Sequence, residues 1–253
     1  MYDDAAVNAW IQDDPDPATR AELTELLSAA GSHGERAQAA RRALNDAFSG
    51  TLAFGTAGLR GRLGGGPNRM NRVVVIRAAA GLSAYLKARL GEGFSVVIGY
   101  DARHNSEQFA RDTAAVVTGA GGRAILFESH CPTPVLAFAL RRLEADAGVM
   151  VTASHNPPQD NGYKVYLGGR AVTDSGQGAQ IVPPYDSQIA AAIDAVGPVG
   201  SVPRPQSGWE TVDPGIREEY IERAAQAARM TAPTPVRIVL TAMHGVGGAT
   251  CRE

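Results

Sequence analysis

Ser154 and His155 leave an apolar run, Ala147-Gly148-Val149-Met150-Val151, and enter a segment fixed by Pro157 and Pro158. Two prolines restrict the backbone, so the Ser154 hydroxyl is held rather than left to wander in solvent. Neighbouring residues of an extended chain point in different directions, which disfavours a simple Ser–His hydrolytic pair. A serine fixed without an adjacent base is better suited to carrying a group than to attacking esters unaided. A second stretch, Phe54 to Gly61 (FGTAGLRG), places glycines at 55, 58 and 61. Glycine lets backbone N–H groups approach an anion closely; Thr56 adds a hydroxyl and Arg60 a planar fork that matches phosphate oxygens. Taken alone, each stretch has a plainer reading: a polar turn for the first, a flexible surface loop with a solvated arginine for the second.

Other phosphate and hydrolase signatures fail on context. Gly119 to Ala124 (GAGGRA) has the letters of a dinucleotide fingerprint, but it follows an expected helix and precedes an expected strand, the reverse of the required order. It reads as a helix end and turn. GTAGLRG lacks the Lys-Ser/Thr that closes a P-loop, and TASHN is not the G-x-S-x-G of a nucleophile elbow. His130 and Cys131 have no further ligand at metal spacing, so Cys131 is expected to pack.

The elements that must hold these residues alternate. Helices are expected from Pro17, with Asp16 as its cap, and over Glu35–Phe48; a glycine-rich segment, too glycine-rich for a packed element, follows to Asn71. Then come a helix over Arg72–Leu90, a strand over Phe94–Tyr100, a helix over Ser106–Thr118 and a strand over Arg123–Phe127. A helix over Pro134–Leu143 and strands over Ala147–Val151 and Gly162–Leu167 complete the series. Helices alternating with short apolar strands predict an α/β sandwich with helices on both faces of the sheet. Ser154 then lies at the carboxyl end of a buried strand, where α/β sheets bind their ligands.

The chain has 253 residues, 44% of them hydrophobic, enough for one large domain or two small ones. Its 24 Lys and Arg against 26 Asp and Glu give a net charge of −2 and no broad cationic field, so neither nucleic acid nor a membrane surface is the expected partner. No secretory pattern opens the chain, and its two cysteines form no disulfide framework, so a cytoplasmic setting is expected. Val196 to Gly215, rich in Pro, Gly and Ser, reads as a linker. Beyond it a helix over Ile216–Met230 and a strand over Val236–Ala242 are expected. So short a tail could hardly bury its own core, so the chain is expected to be a piece of a longer protein.

TASHNPP at 152–158, FGTAGLRG at 54–61 and NGYKVY at 161–166 together resemble the α-D-phosphohexomutases, the phosphoglucomutase and phosphomannomutase superfamily. IGYDARHNS at 98–106 and HGVGG at 244–248 fit the same pattern, and the start from Trp10 resembles its phosphoglucomutase and phosphopentomutase branch. The resemblance implies a three-layer α/β/α sandwich with a mixed sheet, a first domain over 1–205, and the beginning of a second over 206–253. It implies that Ser154 carries a transferable phosphate and that Lys164 assists proton transfer, with His155 orienting the serine or shuttling a proton. Thr56 and Arg60 would hold phosphate oxygens; Arg103 would brace the loop or contact substrate. Phosphate would move between C1 and C6 of glucose or mannose phosphate, through a hexose 1,6-bisphosphate that also acts as activator. The family's Mg²⁺ would meet a Ser154 phosphate oxygen, its other ligands lying beyond residue 253. Such a chain alone is expected to be an inactive fragment. A phosphopentomutase, or a module that binds phosphosugars without turnover, is the alternative.

Overall fold

The computed structural model describes residues 2–56, 58–227 and 237–253. A mixed sheet of six strands forms its centre: β1 (Leu59–Arg62), β2 (Ser95–Tyr100), β3 (Arg123–Leu126), β4 (Ala147–Val151), β5 (Asp160–Leu167) and β6 (Glu210–Thr211), in the order β1-β5-β4-β2-β3-β6. β4, β2, β3 and β6 run parallel, while β5 and β1 add antiparallel at one edge. Every residue of β4 is buried, as expected of a strand covered on both faces.

Alternate strand residues serve two cores. Val96, Ile98, Val149, Val151, Tyr163 and Val165 pack with residues of α4 (Arg72–Leu90), α5 (Ser106–Gly119) and α7 (Tyr185–Asp194). Val97, Ile125, Met150 and Tyr166 pack on the opposite face with α6 (Thr133–Arg142) and Ile216 of α8 (Gly215–Ala227). The result is the expected three-layer α/β/α sandwich. Ahead of it, α1 (Asp4–Asp13), α2 (Pro17–Ala30) and α3 (Glu35–Ala47) bury Val7, Leu23 and Leu44 in a cluster of their own.

Local chemistry sets the helix starts that matter for the site. Asp16 accepts from the Ala18 amide at 2.9 Å, and Pro17 occupies the first turn of α2. Asn71 caps α4 by accepting from Val74 at 3.0 Å, and its amide donates to the carbonyls of Gly64 and Gly66. One side chain therefore begins the longest helix among the described residues and ties down the glycine loop behind β1.

Three expectations need correction, and two helices were not expected at all. The glycine-rich segment contains a packed strand, β1, because β5 supplies its backbone partners. The linker contains β6, which pairs with β3, so tertiary pairing outweighs a Pro/Gly/Ser-rich composition. α1 and α7 were not signalled by turn-bounded apolar periodicity. Residues 237–242 form no strand: Ile238 and Val239 are 82% and 96% exposed, and among the described residues no strand pairs with them. Val236, and residues 228–230 at the end of the expected last helix, lie outside the described residues.

Candidate active site

Ser154 sits three residues beyond β4 with φ at +55°, a left-handed conformation that non-glycine residues adopt at a cost of roughly 1–3 kcal/mol. Its surroundings impose that conformation. The Ser154 amide donates to Thr152 Oγ1 at 2.9 Å, and the Thr152 hydroxyl donates to Asp101 Oδ2 at 2.6 Å. Asp101 Oδ1 also accepts from Ser106 Oγ at 2.8 Å and from the Arg103 amide at 3.1 Å. β2 and β4 are parallel neighbours, so the loops after them, 101–106 and 152–160, meet at one edge.

Arg103 lies beneath the serine loop. Its terminal nitrogens donate to the carbonyls of Ser154 (2.9 Å), Asn156 (2.8 Å), Pro157 (2.8 Å) and Asp160 (3.0 Å), and Nε faces Asp101 Oδ2 at 3.4 Å. A guanidinium has five N–H groups, and here the four terminal ones are all taken up by carbonyls of the serine loop. The bracing role is what this geometry supports; a substrate contact would require Arg103 to leave the loop.

Lys164 approaches Ser154 through strand pairing. β5 runs antiparallel to β4 with Met150 opposite Lys164, so the ammonium reaches past the strand end and donates to Ser154 Oγ at 2.7 Å. Burial lowers the Lys164 pKa below the ordinary lysine value, and the nearby Arg60 guanidinium lowers it further, against a weaker opposing pull from Asp101. A lysine so placed exchanges its proton more readily than a solvated one.

Arg60 is carried by β1 directly opposite Gly162 of β5, and donates to Asn156 Oδ1 at 3.3 Å. The two strands can approach only because of particular glycines. A Cβ on Gly58, at φ +72°, would lie 1.9 Å from the Tyr163 carbonyl oxygen, and one on Gly162 would lie 2.8 Å from that of Leu59 in β1. Gly58 also exchanges two backbone hydrogen bonds with Gly55, which closes the FGTAGLRG turn. Thr56 is exposed on this turn, and its carbonyl accepts from Gln180 Nε2 at 2.7 Å.

An open cleft of about 850 Å³ lies at the carboxyl ends of β2 and β4. Ser154, His155, Arg103 and His104 line it, and Ala242 to Val246, the HGVGG region, forms another wall. His155 is exposed in the cleft. Thr56, Arg60 and Lys164 do not line the cleft; Arg60 and Lys164 reach the serine loop from the β1–β5 side. Three contributors had weak sequence signals: Thr152, Asn156 and Gly162. Thr152 and Asn156 stand within TASHNPP, but their partners are fixed only by the fold. Cys131 is buried, and burial pushes its thiol up to about 12, so it packs as an unreactive group.

The residues present do not fit a Mg²⁺ site. Among the described residues no three His, Cys, Asp or Glu side chains converge; of the two carboxylates tied to the serine loop, Asp101 is occupied by Thr152, Ser106 and Arg103, and Asp160 by Asn156. Mg²⁺ requires several oxygen ligands in near-octahedral order. Among the described residues no helix is long and apolar enough to cross a membrane.

The family model described as phosphoglucomutase/phosphomannomutase, alpha/beta/alpha domain I, matches residues 51–197. A probable phosphomannomutase of Haemophilus influenzae is 49% identical over 70% of this chain and 36% of its own length. A phosphopentomutase of Mus musculus is 32% identical over 94% of this chain and 38% of its own. The crystal structure of a putative phosphomannomutase from Thermus thermophilus superposes with a TM-score of 0.55 at 32% identity, covering 70% of this chain and 36% of that one. The chain spans about a third of the length of the relatives it matches. With the fold, the serine loop and this match in agreement, the chain belongs to the phosphoglucomutase/phosphomannomutase family and carries its alpha/beta/alpha domain I.

Proposed function

We propose that Ser154 carries a phosphoryl group in a sugar-phosphate mutase, which moves phosphate between C1 and C6 of a hexose through a hexose 1,6-bisphosphate. The observation that carries this reading is the 2.7 Å contact between Lys164 Nζ and Ser154 Oγ, on a serine whose backbone is held in a left-handed conformation. In the transfer the Ser154 Oγ–P bond breaks and a P–O bond to the sugar oxygen forms. The proton of the sugar hydroxyl is exchanged, in net, for one on Ser154 Oγ. Lys164 is placed to deliver the proton that the serine oxygen needs as phosphate leaves. Arg60, beside Asn156 of the serine loop, supplies charge for the transferring phosphate, consistent with chemistry that rests on positioning and electrostatics. Among the described residues no side chains supply a cage for Mg²⁺.

Glucose and mannose phosphates are the substrates of this reading. A pentose phosphate is the second reading, favoured by the match of the mouse phosphopentomutase across 94% of this chain. Incubation with hexose 1,6-bisphosphate labelled in phosphate, followed by peptide mapping, tests the proposal. Label is expected on Ser154 and much slower labelling in Lys164→Ala. Stable label on another residue, with Ser154 unmodified, refutes the serine carrier; binding without any label points to a non-catalytic phosphosugar module.

A further inference from the structure

The pairing of β1 with β5 gathers charge at one edge of the sheet. Arg60 stands opposite Gly162, which has no side chain, and its diagonal neighbours on β5 are Asp160 and Lys164. Residues two apart on a strand share a face, so Arg60, Asp160 and Lys164 belong to the same side of the sheet. Lys164 is committed to Ser154 Oγ at 2.7 Å. Arg60 pairs with no carboxylate among the described residues, although Asp160 shares its face. Arg62, directly opposite Asp160, makes no ion pair with it either.

Asn156 stands between Arg60 and Asp160. Its Nδ2 donates to Asp160 Oδ2 at 2.8 Å, and its Oδ1 accepts from Arg60 at 3.3 Å. The neighbours dictate the orientation of this amide. An ionised carboxylate only accepts and a guanidinium only donates, so a reversed amide would set donor against donor and acceptor against acceptor. The backbone of Asn156 is held as well: its N–H donates to the Ala153 carbonyl at 3.0 Å, and its carbonyl accepts from Arg103 at 2.8 Å. Without an intervening amide, a guanidinium and a carboxylate on one face would close into a charge-assisted pair. Arg60 would then be neutralised by Asp160 and lost to an anion on the serine loop.

We propose that Asn156 is a positioning residue, a neutral spacer that keeps Arg60 from pairing with Asp160 and so holds the Arg60 charge for an anionic group on Ser154. The spacing is a matter of geometry; its use in group transfer rests on the reading of Ser154 as a phosphoryl carrier.

The side-chain Nε–H of Arg60 is followed by heteronuclear NMR in the whole chain, its signal assigned by its disappearance in Arg60→Lys. An ion-paired guanidinium exchanges its protons with water more slowly than one with a single weak acceptor. In Asn156→Ala, Arg60 is expected to close on Asp160, slowing this exchange by about tenfold or more. Asn156→Ala/Asp160→Asn removes the competing carboxylate and is expected to restore the exchange to within about threefold of the parent. Labelling of Ser154 at saturating hexose 1,6-bisphosphate should fall by about tenfold or more in Asn156→Ala and recover in the double variant, a rescue that a merely structural asparagine would not show. If Ser154 takes no label in the parent, the phosphoryl reading fails, while the Arg60 exchange still decides the spacer. Where Asn156→Ala loses the protection of the Ser154 and Asp160 amides, Asn156→Ser, too short to reach both charges, is read in its place. Unchanged Arg60 exchange, slowing that persists in the double variant, or slowing at Arg62 instead of Arg60 overturns the proposal.

Discussion

Arg103→Lys isolates the bracing of the serine loop from its charge. The guanidinium spans four carbonyls, those of Ser154, Asn156, Pro157 and Asp160, at 2.8 to 3.0 Å. An ammonium keeps the charge but is a compact point donor with three N–H groups, and it cannot reach carbonyls on both sides of a fork. Losing two of the four bonds, at about 1–1.5 kcal/mol each in this partly buried setting, removes roughly 2–3 kcal/mol from the loop. That is comparable to the roughly 1–3 kcal/mol that Ser154 expends at φ +55°, so the serine is expected to relax out of its left-handed conformation. The same energy corresponds to a rise of roughly 30- to 150-fold in loop opening. Amide hydrogen exchange measures this directly on the chain. The Ser154 amide bonds Thr152 Oγ1, the Asn156 amide bonds Ala153 and the Asp160 amide bonds Pro157, so all three report on the loop. Their exchange should accelerate by that factor in Arg103→Lys, while amides in β4 stay protected. Exchange at these three amides within about threefold of the parent would refute the brace.

Two further outcomes are expected. Burial and Arg60 both hold the Lys164 pKa down, so Arg60→Ala should move the alkaline midpoint for acylation of Lys164 upward, toward the ordinary lysine value; an unmoved or lower midpoint would show that the two cations are not coupled. Gly58→Ala would drive a methyl group into the Tyr163 carbonyl at 1.9 Å and at positive φ, prying β1 from β5. A loss of about 3 kcal/mol, or a Tm lower by roughly 6–12 °C, is expected by denaturant or thermal unfolding, and a Tm within about 2 °C of the parent would contradict the packing read here.

The sequence by itself determined the framework. β2 and β4 are written as continuous apolar runs, because strands covered on both faces have no polar side to mark. α2 announces its start through Asp16-Pro17, since capping is a local exchange of hydrogen bonds. Part of the site was legible too: Ser154 and Arg60 stand in short stretches whose prolines and glycines constrain the backbone locally, whereas Lys164 stood out only through the resemblance of NGYKVY to the family. Elements without such marks were not legible. β1 and β6 owe their existence to partners on β5 and β3, which no window of local sequence contains.

Only the tertiary structure decided how the residues meet. Lys164 is ten residues from Ser154, and it faces that hydroxyl because β4 and β5 pair with Met150 opposite Lys164; a slip of one residue would turn the lysine to the other face of the sheet. Arg103 is 51 residues from Ser154 and acts on its loop because β2 and β4 are parallel neighbours whose carboxyl ends lie side by side. A sequence names a guanidinium; it does not say whether five donors turn toward substrate or toward the backbone of a loop. That choice follows from which carbonyls the sheet order brings within 3 Å, and here those carbonyls belong to the serine loop itself.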